Sequence, residues 1–143
     1  MKRGNNPETA TAFVHYEEMN GSNFYSYADI CKSYNTVIAS HQTGKYNTPV
    51  ILLNSCDYSN TTQRHKLHIR RAARKTTLFE VPICYRWNGL TKDEHRTNLE
   101  YLQARTEEAR QKARKARKYT ELWTEETGRR QAEADIYKAI FEL

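Results

Sequence analysis

An α+β fold is what this sequence predicts: a small N-terminal antiparallel β-sheet with one packed basic helix, followed by a long C-terminal helical hairpin. Three observations lead there. The first 58 residues are rich in Tyr, Thr, Val, Ile and Asn, the composition of strands separated by turns. A cluster of capping side chains, Asp57 to Thr62, then opens a segment with helical periodicity. Finally, apolar or small residues recur at steps of four and three from His95 to Trp123, a heptad-spaced seam. The expected organisation is an α+β domain over residues 1–90 and a helical region over 91–143. At 143 residues, one modest core is within reach.

Taken in order, the segment before Glu8 carries no apolar residue beyond Met1 and is expected to be disordered. With no apolar run behind its two basic residues it is not read as a signal peptide, and no stretch nears the roughly 20 apolar residues of a membrane span. A cytosolic protein is expected, with Cys31, Cys56 and Cys84 as reduced thiols. Ala12–Tyr16 offers a first strand, and Phe24–Tyr27 a strand or an ordered loop. Ser33–Ser40 reads as a strand, Thr43–Pro49 as a turn with Gly44 and Pro49, and Val50–Asn54 as a buried strand completing a hairpin. The basic helix should then run over 61–75, with Thr62, His65, Ile69, Ala72, Ala73 and Thr76 on its inner face. Thr77–Tyr85 returns to strand character, and Pro82 puts it at an edge or a bulge.

Thr91-Lys92-Asp93-Glu94 is a capping box opening a long helix, expected over about 92–123. Thr124 to Gly128 is the expected break, followed by a helix over about 128–143 with a stripe of Ala132, Ile136, Ala139, Ile140 and Leu143. Those two helices would pair within the chain, while a homodimer through the same seam is the competing arrangement.

The formal charge of +6 is not spread evenly. Residues 60–75 carry six Lys/Arg and no acid, and residues 105–118 carry seven against Glu107 and Glu108. The first segment supplies Arg64, Arg70, Arg71, Arg74 and Lys75 around one side of a helix. Like charges that close repel, and a phosphate backbone would relieve them. The plain alternative is a solvated helix whose cations pair with acids elsewhere in the chain. The second segment, with Arg110, Arg114, Lys115, Arg117 and Lys118, forms a positive rod about 15 Å long. It could extend the grip or be an ordinary solvated face.

Of ten tyrosines, Tyr25, Tyr27, Tyr34, Tyr46 and Tyr58 cluster in the strand-rich half and could stack on unpaired bases or simply pack with a polar tip. No P-loop, dinucleotide fingerprint or nucleophile motif is present, so neither a catalytic residue nor a cofactor is assigned. His65 and His68 lack the further ligands of a metal site, and no metal is expected. A metal-free ribonuclease using His65 or His68 with Arg71 has its residue types present but no fixed geometry.

The Ser33–Ala39 strand, the apolar Leu52-Leu53-Asn54 and the run Tyr58-Ser59-Asn60-Thr61-Thr62-Gln63-Arg64-His65 together resemble a small bacteriophage and prophage domain of unknown function. The likeness covers about residues 25–75 and singles out Tyr58, Thr61, Thr62 and His65, as helix caps or as a site. It implies a phage-encoded accessory protein acting in the host cytosol. Its partner would be nucleic acid or a host nucleoprotein enzyme. In the second case it would be a protein-binding, anti-CRISPR-like inhibitor anchored by Leu99, Leu102 and Trp123, or by Leu67.

Overall fold

A computed structural model describes all 143 residues, which divide into two compact units, Met1–Gly89 and Leu90–Leu143. The fold is α+β. In the first unit a helix, α1 (Asn6–Val14), precedes five strands: β1 (Glu18–Asn20), β2 (Phe24–Tyr27), β3 (Ile30–Ser33), β4 (Thr36–Thr43) and β5 (Pro49–Asn54). Then come α2 (Asn60–Ala72) and β6 (Leu78–Val81). The six strands lie in sequence order in one sheet. The first five form an antiparallel meander, whereas β6 runs parallel to β5. Parallel neighbours need a crossover, and α2 is that crossover. The basic helix is thus clamped between two strands by topology.

Three local expectations are corrected. Ala12–Tyr16 is not a strand, because Asn5 and Glu8 form a capping box and Pro7 sits in the first turn, launching α1 through that segment. The chain before Glu8 is ordered rather than disordered: Asn20 N donates to Lys2 O at 2.7 Å and Gly4 N to Asn20 O at 3.2 Å. Ser33–Ser40 is two strands, since the chain reverses at Tyr34-Asn35, with Tyr34 at φ 54° and Ser33 opposite Thr36.

The core gathers Phe13 from α1, Phe24 and Cys31 from β2 and β3, Ile38 and Ala39, Ile51 and Leu53, and Ile69 from α2. Consecutive residues of a regular strand face opposite ways, yet Ile38 and Ala39 both enter this core. The register shift opposite Cys31 and Lys32 explains it, because a bulge re-aims one side chain. Val50 to Leu53 are all fully buried, so β5 is covered on both faces.

In the second unit α3 (Lys92–Lys115) and α4 (Thr120–Ile140) pack as an antiparallel hairpin. The Thr91–Glu94 capping box forms as read. The break, however, lies at residues 116–119 and not at Thr124–Gly128, and α4 continues through Gly128. Register explains this. Lys92 bonds Glu142, His95 bonds Tyr137, Arg130 bonds the carbonyl of Arg105, and Lys112 lies over the ring of Trp123. Every pair is centred on residues 116–118, which is where the chain must reverse. Lys112, Arg114 and Lys115 fall in the last turn of α3, where cations offset the negative end of the helix dipole.

The phase of α4 also differs from the predicted stripe. Ala134 and Tyr137 are its buried residues, while Ala132, Ile136 and Ala139 are exposed. Tyr137 decides it. Its hydroxyl meets His95 Nδ1 at 2.7 Å and accepts from Asn98 Nδ2 at 2.9 Å, and its ring packs beside Phe141. Burial pushes the phenol's pKa up and that of His95 down, so both stay neutral and the phenol donates to the imidazole. No helix of the chain is long and apolar enough to cross a membrane.

Candidate nucleic-acid interface

Ser59 caps α2, its Oγ accepting from Thr62 N, and the helix then buries Thr62, His65, Lys66 and Ile69 against the sheet. It ends at Ala72, three residues short of expectation, where the amide of Ala73 bonds the carbonyl of Ile69. Arg74 and Lys75 therefore lie in the turn that leads to β6, not on the helix.

The structure sorts the cations of this segment into used and free. Lys66 points inward and is 1% exposed, its Nζ donating to Cys56 O at 3.1 Å, and burial lowers its pKa. Arg70 is also engaged: it makes a two-pronged ion pair with Glu80 of β6, whose second bond measures 3.0 Å. This corrects the grouping of Arg70 with the contact residues, because its guanidinium fork ties α2 to the sheet edge. Arg64, Arg71, Arg74 and Lys75 are exposed and form no ion pair. Between them lie Leu67, partly exposed, and His68, whose pKa is held down by burial and by the neighbouring Arg71. One consequence is testable by urea unfolding. Arg70→Gln should cost roughly 1 kcal/mol of stability, the upper end for a half-exposed pair, while Arg64→Gln or Arg71→Gln should cost almost nothing.

The second basic run is less free than its sequence suggests. Arg110 pairs with Glu107, and Lys112 with Glu108. The helix stops at Lys115, so the run is not one continuous rod: Arg117 and Lys118 belong to the interhelical loop. Arg114, Lys115, Arg117 and Lys118 are exposed. Leu99 and Leu102 are buried in the hairpin, which removes them as anchors for a partner.

The two halves of this sequence pattern, Ser33 and the run from Tyr58 to His65, meet in space. Ser33 Oγ lies 2.9 Å from Thr62 Oγ1 and 2.7 Å from His65 Nδ1, and the His65 ring stacks on Phe24 at 4.4 Å. Nε2 of His65 is buried without a partner, and a bare lone pair is cheaper to bury than a bare N–H. The proton therefore sits on Nδ1 and is donated to Ser33, whose hydroxyl passes its own to Thr62. Burial lowers the His65 pKa to about 4, which keeps the ring neutral. With 1% exposure this imidazole cannot reach a substrate oxygen, so the group acts as a polar strut between β3 and α2. Tyr58 has a similar role on the strand end, its hydroxyl accepting from Asn54 Nδ2 at 2.9 Å, whereas Thr61 faces solvent. His, Cys, Asp and Glu side chains are nowhere gathered in threes as a metal-ligand set.

Sequence reading missed Glu80, Lys66 and the exposed Tyr119 and Leu122. The alternation of Leu78, Phe79, Glu80 and Val81 held a signal for Glu80, an acid at a half-buried strand position beside an all-basic helix. No protein family, no curated protein and no solved structure matches this chain.

Proposed function

We propose that the protein binds nucleic acid, with backbone phosphates held by Arg64 and Arg71 on the outer side of α2 and by Arg74 and Lys75 in the turn beyond it. One observation carries the reading: the two other cations of this segment are consumed internally, by Cys56 O and Glu80, and these four are left facing solvent without acids. Arginine suits the task because its planar fork grips phosphate in two places. The phage-like pattern supplies the setting, an accessory protein in a host cytosol. It also fits that Ser33, Thr62 and His65 of that pattern brace α2 from beneath, where they hold the cationic side outward.

Titration of single- and double-stranded RNA and DNA at two salt concentrations tests this. Affinity should fall steeply with salt, at about 0.9 log units per decade for each duplex phosphate contacted. The triple variant Arg64→Glu, Arg71→Glu, Arg74→Glu spares the Arg70–Glu80 pair. It should keep the wild-type melting temperature, lose most of its duplex affinity and flatten the duplex salt slope by about 2.7. Equal duplex binding by the triple variant, or no binding by the wild type, would sink the proposal and leave protein docking to account for the free cations.

A further inference from the structure

The tip of the helical hairpin is built unlike the rest of that unit. α3 ends at Lys115, and the chain turns through Ala116 to Tyr119 without glycine or proline. Tyr119 takes the left-handed conformation at φ 61°, and no side chain caps the helix it begins. A bulky residue held there is strained, and its ring lies outside, 69% exposed. Leu122 is 59% exposed beside it. Trp123 lies between two open grooves, one lined by Tyr119, Leu122, Glu125 and Glu126, the other by Lys112, Lys115, Lys118 and Glu108. Glu126 is paired with Arg129 and Arg130, and Glu108 with Lys112. Lys112 sits 4.7 Å from the Trp123 ring centre and covers one face of that ring, so a base would stack on the other.

We infer that this tip binds single-stranded nucleic acid, with unpaired bases stacked on Tyr119 and Trp123 and their phosphates on Lys115, Arg117 and Lys118. Flat aromatic faces beside a run of cations are what a flexible strand needs. Stacking accepts any base, and the charges follow the backbone. Residues 109–118 contain no acid, and Lys115, Arg117 and Lys118 have no ion-pair partner, so the loop side of the tip is complementary to a polyanion, while the Tyr119 groove, which carries Glu125 and Glu126, would take the bases and not the phosphates. A base-paired duplex hides its faces and would gain only the charge. The inference rests on the nucleic-acid reading above and deepens it, by assigning the single strand to the turn between α3 and α4.

The chain has two tryptophans, and Trp87 is 85% exposed, so Trp87→Phe leaves Trp123 as sole reporter without disturbing a core. This variant of the full chain would be titrated with an oligouridylate and with a duplex of equal length. Binding would be followed by anisotropy of the labelled oligomer and by tryptophan emission. The oligouridylate should quench Trp123 by roughly half or more, as stacking does, while the duplex should not. Adding Tyr119→Ala should weaken the single strand about tenfold and leave duplex affinity within about twofold. Retained quenching in the Arg64, Arg71, Arg74 triple variant would support a separate site. Anisotropy showing oligouridylate bound with Trp123 emission unchanged, or with Tyr119→Ala as tight as its parent, would overturn the inference while the α2 reading survives. No binding of either oligomer would overturn both.

Discussion

His65→Ala should destabilise the sheet-bearing unit by about 3–4 kcal/mol at pH 7, the range for emptying a large buried site that also strands hydrogen-bonding partners. The ring is fully enclosed, stacks on Phe24 within 7° of parallel, and is the donor to Ser33. Its loss leaves the Ser33 hydroxyl with Thr62 alone, while Thr62 keeps its bond from Ser59 Oγ at 3.3 Å. Acid should have the same target. The folded pKa of about 4 lies below the ordinary 6.5, so the unfolded chain binds a proton that the folded chain refuses. Stability from this group is complete above pH 6.5 and is lost as pH falls towards 4, at up to about 1.4 kcal/mol per unit. The whole loss is on the order of 3 kcal/mol. His41, His68 and His95 are shifted the same way and add to the slope. Urea midpoints at pH 7 and pH 4.5 check this. His65→Phe should be less stable at pH 7 yet show a visibly shallower fall, and a fall as steep as wild type would show that His65 is not the acid-sensitive group.

Tyr137→Ala should unfold the helical hairpin outright. Leu99, Leu102, Ala109, Ala134 and Tyr137 are nearly all the buried apolar side chains this unit has, and Tyr137 is the largest of them. Emptying such a site costs about 3–5 kcal/mol, and His95 and Asn98 would lose their common partner as well. Thermal melts followed by helical circular dichroism should show a large drop in signal at ambient temperature. Tyr137→Phe separates the two contributions, since it keeps the ring and removes only the hydroxyl. It should cost about 1–3 kcal/mol, and an unchanged melting curve would mean that the His95–Tyr137–Asn98 bonds do not fix the phase of α4.

Much of the fold was legible because it depends on local chemistry. Ser59 and Thr91 announce two helices through capping, and the turn before β5 falls where Gly44 puts it, although Tyr46 and Asn47 take the left-handed conformation in place of Gly44 and Pro49 already pairs with Thr43 as the first residue of β5. Pro82 follows directly on the edge strand β6, where a missing N–H costs little. The α1 segment was misread for the opposite reason. Phe13, Val14 and Tyr16 favour strands, but the Asn5–Glu8 box and Pro7 nucleate a helix first, and the sheet then buries its Phe13.

The candidate site was legible as a segment but not as a set of residues. Sequence places six cations together at 60–75 and none of its letters says which will be occupied. Lys66 is drawn inward because it falls one position from the Thr62–His65–Ile69 face, with a free carbonyl at Cys56 within reach of its long stem. Arg70 meets Glu80 because β6 returns parallel to β5, a pairing that no local pattern encodes.

The sequence by itself determined the α+β class, the strand-rich first half, the two capped helix starts and the two basic segments, because composition, capping and charge act within a few residues. Only the tertiary structure decided where the hairpin turns, which face of α4 is buried and which arginines remain free. Those outcomes rest on partners 10 to 50 residues away, Arg70 with Glu80 and Lys92 with Glu142, which become neighbours once the backbone has closed on itself.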